Sequence, residues 1–222
     1  VDPSADWQIA HALHLGSLDE HAAFDRLVAP MAESADRADL LGDLEKVTAS
    51  AFAARQYGVA QWAAAAATQL LSDGGDDLAL KEHLRSTVSL CLTEVPMKAP
   101  ILVRAAPCVG FARDAYVRYL ALRQQDLSGA DLSGFLRREA RWYTRRGAPA
   151  LGLLALDALE AAVGRDDLTA ADHVLITSCS TDVGAEIGRL EAEVAAREPG
   201  GDRRDLQMVL LGCYLNAGDT DR

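Results

Sequence analysis

Five of the chain's nineteen arginines fall within ten residues, in "RREARWYTRRG" at residues 137–147. A guanidinium is a planar fork of donors that grips phosphate or carboxylate with two hydrogen bonds, and a neighbouring aromatic ring gives it a surface to stack on. In a helix, Arg137, Arg141 and Arg145 stand four apart on one line, with Arg138 and Arg146 beside it and Trp142 and Tyr143 interleaved. The chain carries 33 acidic against 22 basic side chains, a formal net charge of −11. Within so acidic a sequence the five arginines are a segregated basic stripe. Their plainest use is pairing with aspartates of neighbouring helices, each pair contributing at most about 1 kcal/mol at the surface. Their functional use is to hold an anion. The predicted binding residues are Arg137, Arg138, Arg141, Trp142, Arg145 and Arg146, and the expected partner is an anionic small molecule, such as a phosphate, nucleotide or CoA-like group, or an acidic protein surface. No nucleic acid is expected, because the acidic remainder of the surface would repel it.

The other chemistry-bearing residue types are scattered. His11 and His14 lie three apart with Asp19, Glu20 and His21 nearby, types that bind zinc or iron. Helical carboxylate metal sites take paired Glu-x-x-His ligands from several helices, and no such pair is present. The group therefore reads as a surface cluster, and neither metal nor cofactor is expected. His173, beside Asp172, reads as a polar first-turn residue. The four cysteines, Cys91, Cys108, Cys179 and Cys213, are far apart, form no CxxC motif, and sit among apolar neighbours. That pattern predicts reduced packing thiols in a cytoplasmic protein.

The elements that must position these residues are helices. Apolar residues recur three and four apart almost throughout. Ser17 and Glu20 have capping-box spacing ahead of Leu27, Val28 and Met31, with a kink expected at Pro30. Leu40, Leu44, Val47 and Ala51 share a face, and Gly58 separates that helix from the alanine-rich "VAQWAAAAATQLL", predicted to fold back on it. Leu80, Leu84, Val88, Cys91 and Val95 continue to Pro96, and Ile101, Ala105, Cys108, Ala112, Tyr116 and Leu120 mark the next helix. "DLSG" occurs twice in "QQDLSGADLSG", too few units for a β-helix, so a loop is expected there, with Asp131 or Ser133 near the start of the arginine helix. That helix stops at Gly147, and Pro149 opens an almost wholly apolar, central successor. Leu175, Cys179, Val183, Ile187, Leu190 and Val194 keep helical steps behind a Thr169 N-cap and predict one long helix over 170–197. A last helix carries Leu206, Val209, Leu210 and Cys213 and stops at Gly218. The expected fold class is all-α: about ten helices in antiparallel hairpins, as a bundle or short curved stack. It is read as a single domain over 1–222, with 96–100 as the place for any subdivision.

Residues 155–184, "ALDALEAAVGRDDLTAADHVLITSCSTDVG", together with Gly212 and Cys213 in "LLGCYLNAG", resemble the ketosynthase and chalcone-synthase-like branch of the thiolase families. The resemblance covers under a third of the chain. It implies a helix followed by a strand ending at the "TSCS" segment, and Cys213 as the acyl-accepting nucleophile. The histidine and asparagine that activate such a thiolate and bind its oxyanion do not follow Cys213, and a cysteine without them is a poor catalyst.

No stretch approaches the roughly 20 apolar residues of a bilayer span, and "VDPSADWQIA" lacks the basic and apolar regions of a signal peptide. With arginine and alanine favoured in the manner of a high-GC bacterial genome, the chain reads as a cytoplasmic bacterial binding or interaction protein of regulatory, scaffold or biosynthetic-accessory kind. No membrane partner is expected, and a homodimer is among the assemblies this reading allows. The alternative is an enzyme of specialised or acyl metabolism. It would be either a helical bundle with an apolar pocket or a thiol acyltransferase around Cys213.

Overall fold

The computed structural model describes Ala22, Phe24, Asp25 and Val28 and residues 36–94, 99–180 and 182–217, with backbone alone for 93–94, 99–109 and 215–217. The His11, His14 and His21 group, the Ser17 capping box, the Pro30 kink, Gly218 and most of the 96–100 junction lie outside the described residues. Within them are nine α-helices, one 3-10 turn and no strand. The all-α expectation is therefore met. Contacts gather the chain into two compact units, Val1–Leu122 and Arg123–Arg222. No helix among the described residues is long and apolar enough to cross a membrane.

The first unit contains α1 (Arg37–Ala53), α2 (Tyr57–Gly74), α3 (Asp77–Glu94) and most of α4 (Ala99–Asp126). Asp36 caps α1 by accepting from the Ala38 N–H. Leu40, Leu44, Val47, Ala51 and Phe52 then face the core, against Val59, Ala60, Ala63 and Ala67 of α2. The alanine run does more here than favour helix. Ala60, Ala63, Ala64 and Ala67 are completely buried, so small side chains bring the two backbones close together. From α3, His83 places Nε2 3.2 Å from the Ala64 carbonyl oxygen. Such a contact satisfies a ring nitrogen that burial would otherwise leave without a partner.

The second unit is built from α5 (Gly129–Arg145), α6 (Pro149–Val163), the 3-10 turn Arg165–Asp167, α7 (Ala170–Cys179), α8 (Val183–Ala196) and α9 (Gly201–Ala217). The arginine helix starts earlier than expected, with Ser128 as its N-cap. The second "DLSG" is thus helical, and Ser133 donates back to the Ala130 carbonyl instead of capping. Gly147 adopts φ +76°, a left-handed conformation that a β-carbon disfavours, and Pro149 stands at the first helical positions of α6 as predicted. α6 packs against both α5 and α7. At Gly152 it lies close against α5: a β-carbon there would meet Thr144 Oγ1 at 2.7 Å and the Ala140 carbonyl oxygen at 3.1 Å.

The long helix expected over 170–197 is two helices. Thr169 caps α7 in a reciprocal capping box with Asp172, but α7 ends at Cys179. Ser180 is extended (ψ 138°), and Asp182 caps α8 afresh by accepting from the Ala185 N–H. A cap side chain that satisfies an orphan N–H makes a restart favourable. The four-residue steps crossed the break because both helices are amphipathic and happen to resume in phase. Residues 170–179 are helical where the ketosynthase resemblance implies a strand.

Candidate functional site

The arginine stripe divides in two. α5 turns Phe135, Leu136, Glu139, Ala140 and Tyr143 inward. This leaves Arg138, Arg141 and Arg145, at i, i+3 and i+7, exposed along one outward face with Trp142 half-buried among them. Arg137 sits to the side of that face, toward α7. Its Nε lies 3.0 Å from both carboxylate oxygens of Asp172 and its Nη2 2.9 Å from Oδ2. Asp172 is completely buried and also accepts from the Thr169 N–H at 2.9 Å. Burial pushes its carboxyl up, but the hydrogen bonds from Arg137 and Thr169 outweigh that and hold it below the ordinary carboxylate value. Arg137 is thus committed within the unit.

The remaining four arginines are not. Among the described residues, none of Arg138, Arg141, Arg145 and Arg146 forms an ion pair with a carboxylate, although acidic side chains outnumber basic ones by half again. Arg165 makes the contrast plain: it meets Glu160, Glu186 and Glu193 at 3.0–3.4 Å. Arg146 instead lies over the Trp142 ring at 4.4 Å, and Trp142 stands edge-on to buried Tyr143, with ring centres 4.7 Å apart. The aromatic pair fixes one guanidinium and leaves its edge donors to solvent. Arg138, Arg141, Trp142, Arg145 and Arg146 line a surface recess of about 450 Å³. Like charges at helical neighbour spacing destabilise a helix by a few tenths of a kcal/mol per pair. The arrangement is therefore not one that helix stability selects, and an arriving anion would relieve it.

Two further recesses extend from the first. Arg141 and Arg145 also line one of about 360 Å³ with Thr144, Ala171, Val174 and Leu175. Val174 in turn lines a third, of about 410 Å³, walled by Val183, Met208, Val209 and Cys213. Met208 and Val174 are 66% and 49% exposed, large apolar side chains left facing solvent.

The cysteines do not form a nucleophile's setting. Cys179 and Cys213 are buried and form no disulfide. Cys179 lies 3.1 Å from the Thr144 hydroxyl, and burial raises its thiol above the ordinary value. Cys213 donates to the Thr177 hydroxyl at 3.4 Å, a group too weakly basic to take a thiol proton. Cys91 is buried as well, while the side chain of Cys108 lies outside the described residues. Native protein treated with iodoacetamide is therefore expected to label slowly at Cys179 and Cys213, and quickly once unfolded, by peptide mass spectrometry. Fast stoichiometric labelling of Cys213 in the native state would restore the acyl-transfer reading.

Sequence reasoning missed a buried ionic cluster. His173, read as a polar first-turn residue, is completely buried, with Nε2 3.6 Å from Glu193 Oε1 and neither ring nitrogen hydrogen-bonded. Burial lowers its pKa, and the attraction of Glu193 does not offset this, so the ring is held neutral. Glu193 also meets Arg197 at 3.1 Å, and buried Glu186 meets Arg165 and Arg189 at 3.0 and 3.3 Å. The cluster ties α7, α8 and the 3-10 turn together and lines none of the three recesses. Among the described residues no group of three or more His, Cys, Asp or Glu side chains is placed to hold a metal. Comparison of the chain with protein-family models, curated proteins and solved structures finds no match.

Proposed function

We propose that the second unit is a binding module that takes an anionic group of a ligand or partner on the outward face of α5. The observation that carries this reading is the set of four exposed arginines without a carboxylate partner among the described residues, in a chain of net charge −11. Arg141 and Arg145 supply the forks, Arg138 and Arg146 flank them, and Trp142 offers a flat apolar surface beside them. The recess is open, which suits capture and release more than chemistry that must exclude water. A place in the reducing cytoplasm of a bacterium belongs to the same reading and agrees with two buried thiols that form no disulfide.

The test uses thermal shift with pyrophosphate, ADP, CoA and a 16-residue polyglutamate on wild-type protein and on Arg141→Glu/Arg145→Glu. At least one probe is expected to stabilise the wild type, since a ligand at a hundred times its Kd adds about 2.7 kcal/mol. The shift should shrink between low and high salt, because exposed charges are screened beyond about 10 Å at 0.1 M. The double variant should fold as wild type and show no shift. Equal shifts in both proteins, or none from any probe in the wild type, would remove the anion site.

A further inference from the structure

We infer that the three adjoining recesses form one docking groove for an amphipathic helical segment of a partner protein, acidic at one end and apolar toward the other; this rests on the anion-binding face proposed above. The groove is continuous in its residues. Arg141 and Arg145 belong to the first and second recesses, and Val174 to the second and third. It changes chemistry along its length, from the guanidiniums of Arg138, Arg141 and Arg145 to the apolar surface of Val174, Met208 and Val209. A partner that satisfies the whole groove must change in the same order.

Several features favour a helix over a small amphiphile. All three recesses are open to solvent, whereas a pocket for a small molecule encloses most of its ligand. An acyl chain lying in them would keep much of its surface in water. A helix satisfies its own backbone hydrogen bonds, so only its side chains need enter a shallow groove. Met208, unbranched and polarisable, adapts to different apolar side chains. The charge distribution also sets the register. An acidic segment is attracted where four exposed arginines stand together at the α5 end, which orients it before apolar contact forms.

The experiment selects from a display library of 16-residue peptides that carry Asp, Glu, Ala, Leu, Phe and Met at randomised positions. Selection is on the full chain, with removal of peptides that also bind Arg141→Glu/Arg145→Glu. Enriched peptides are measured by fluorescence anisotropy against wild type, the arginine double variant, Met208→Glu and Met208→Gln. Phosphatidylglycerol vesicles and decanoate are run as separate arms. Met208 is two-thirds exposed, so both of its variants should keep the wild-type circular dichroism. The expected result is enrichment of peptides with acidic residues three and four apart followed by apolar ones. Their affinity should fall at least tenfold with the arginine variant and with Met208→Glu, and less with Met208→Gln.

Peptides that need the arginines but bind both Met208 variants unchanged would overturn the groove and leave the anion site standing. Vesicles or decanoate bound through the same residues, with no peptide enriched, would overturn it in favour of a lipid. No enrichment and no binding in any arm would overturn the groove, and the thermal-shift probes would then decide the anion site on their own.

Discussion

Replacing Arg137 with alanine is expected to destabilise the second unit by roughly 3 kcal/mol, whereas the same change at Arg141, four residues on, should cost less than about 0.5 kcal/mol. The two side chains are of one type on one helix, and their partners make the difference. Asp172 has no exposure, and Arg137 provides three of its four short contacts. Without Arg137 the carboxylate stays buried with the Thr169 N–H alone, and breaking a buried pair from one side costs about 3–5 kcal/mol. The lower end applies because the Arg137 side chain is itself a quarter exposed, so water screens the pair from that side. Converting both partners, as in Arg137→Met with Asp172→Asn, removes the stranded charge and keeps an acceptor for the cap. The double variant should be more stable than Arg137→Met alone.

The pH dependence follows from Asp172. Its folded pKa lies below the unfolded value of about 3.9, so its contribution is fully present above that value and is lost as pH falls through the folded pKa. In Arg137→Ala the burial penalty is no longer offset, and protonation in acid relieves it. The gap between the variant and wild type should therefore be widest at neutral pH and close below about pH 4. Urea unfolding read by hydrogen exchange in peptides of α5 and α7 measures both quantities. A gap that is small at pH 7, or constant from pH 7 to 3, would show that the ion pair does not hold α7 to α5.

Leu190→Pro should cost roughly 5 kcal/mol, while Val183→Pro should cost under about 1 kcal/mol. In the middle of α8, a proline at 190 has no N–H to give the Glu186 carbonyl, and its ring clashes with that carbonyl. The substitution also removes a leucine with no solvent exposure. Val183 is the first residue of α8, behind the Asp182 cap, where the N–H has no intrahelical acceptor and a fixed φ near −65° suits the helix. One uninterrupted helix through 170–197 would give the two substitutions similar, large penalties. Equal losses of urea midpoint in the two variants would show that the break at Ser180–Asp182 is absent in solution.

Much of the second unit was legible because it depends on local physics. A threonine whose hydroxyl accepts from the third N–H onward, a glycine where φ must be positive, and a proline that lacks only an N–H with no use are chosen by their own neighbours. Thr169, Gly147 and Pro149 accordingly stand where their types predict. The all-α class follows in the same way from apolar steps of three and four, because a helix must bury one stripe. Asp182 carried a cap signal of this kind, but the apolar steps on either side of it stayed in phase and concealed the restart.

Which arginine is satisfied and which is exposed had no local signal. Arg137 and Asp172 are 35 residues apart. They meet because α6 folds between them and packs on both α5 and α7, which brings the N-terminal turn of α7 beside one edge of α5. The same packing buries His173 and opens an apolar surface at Val174 and Met208 next to Arg141 and Arg145. The sequence determined by itself that a basic, aromatic-bearing helix exists in an acidic all-α chain, since charge and helical period are properties of consecutive residues. Tertiary structure alone decided that one arginine of the stripe is an internal strut and four face outward, because pairing depends on which distant carboxylate the packing of the helices brings within reach.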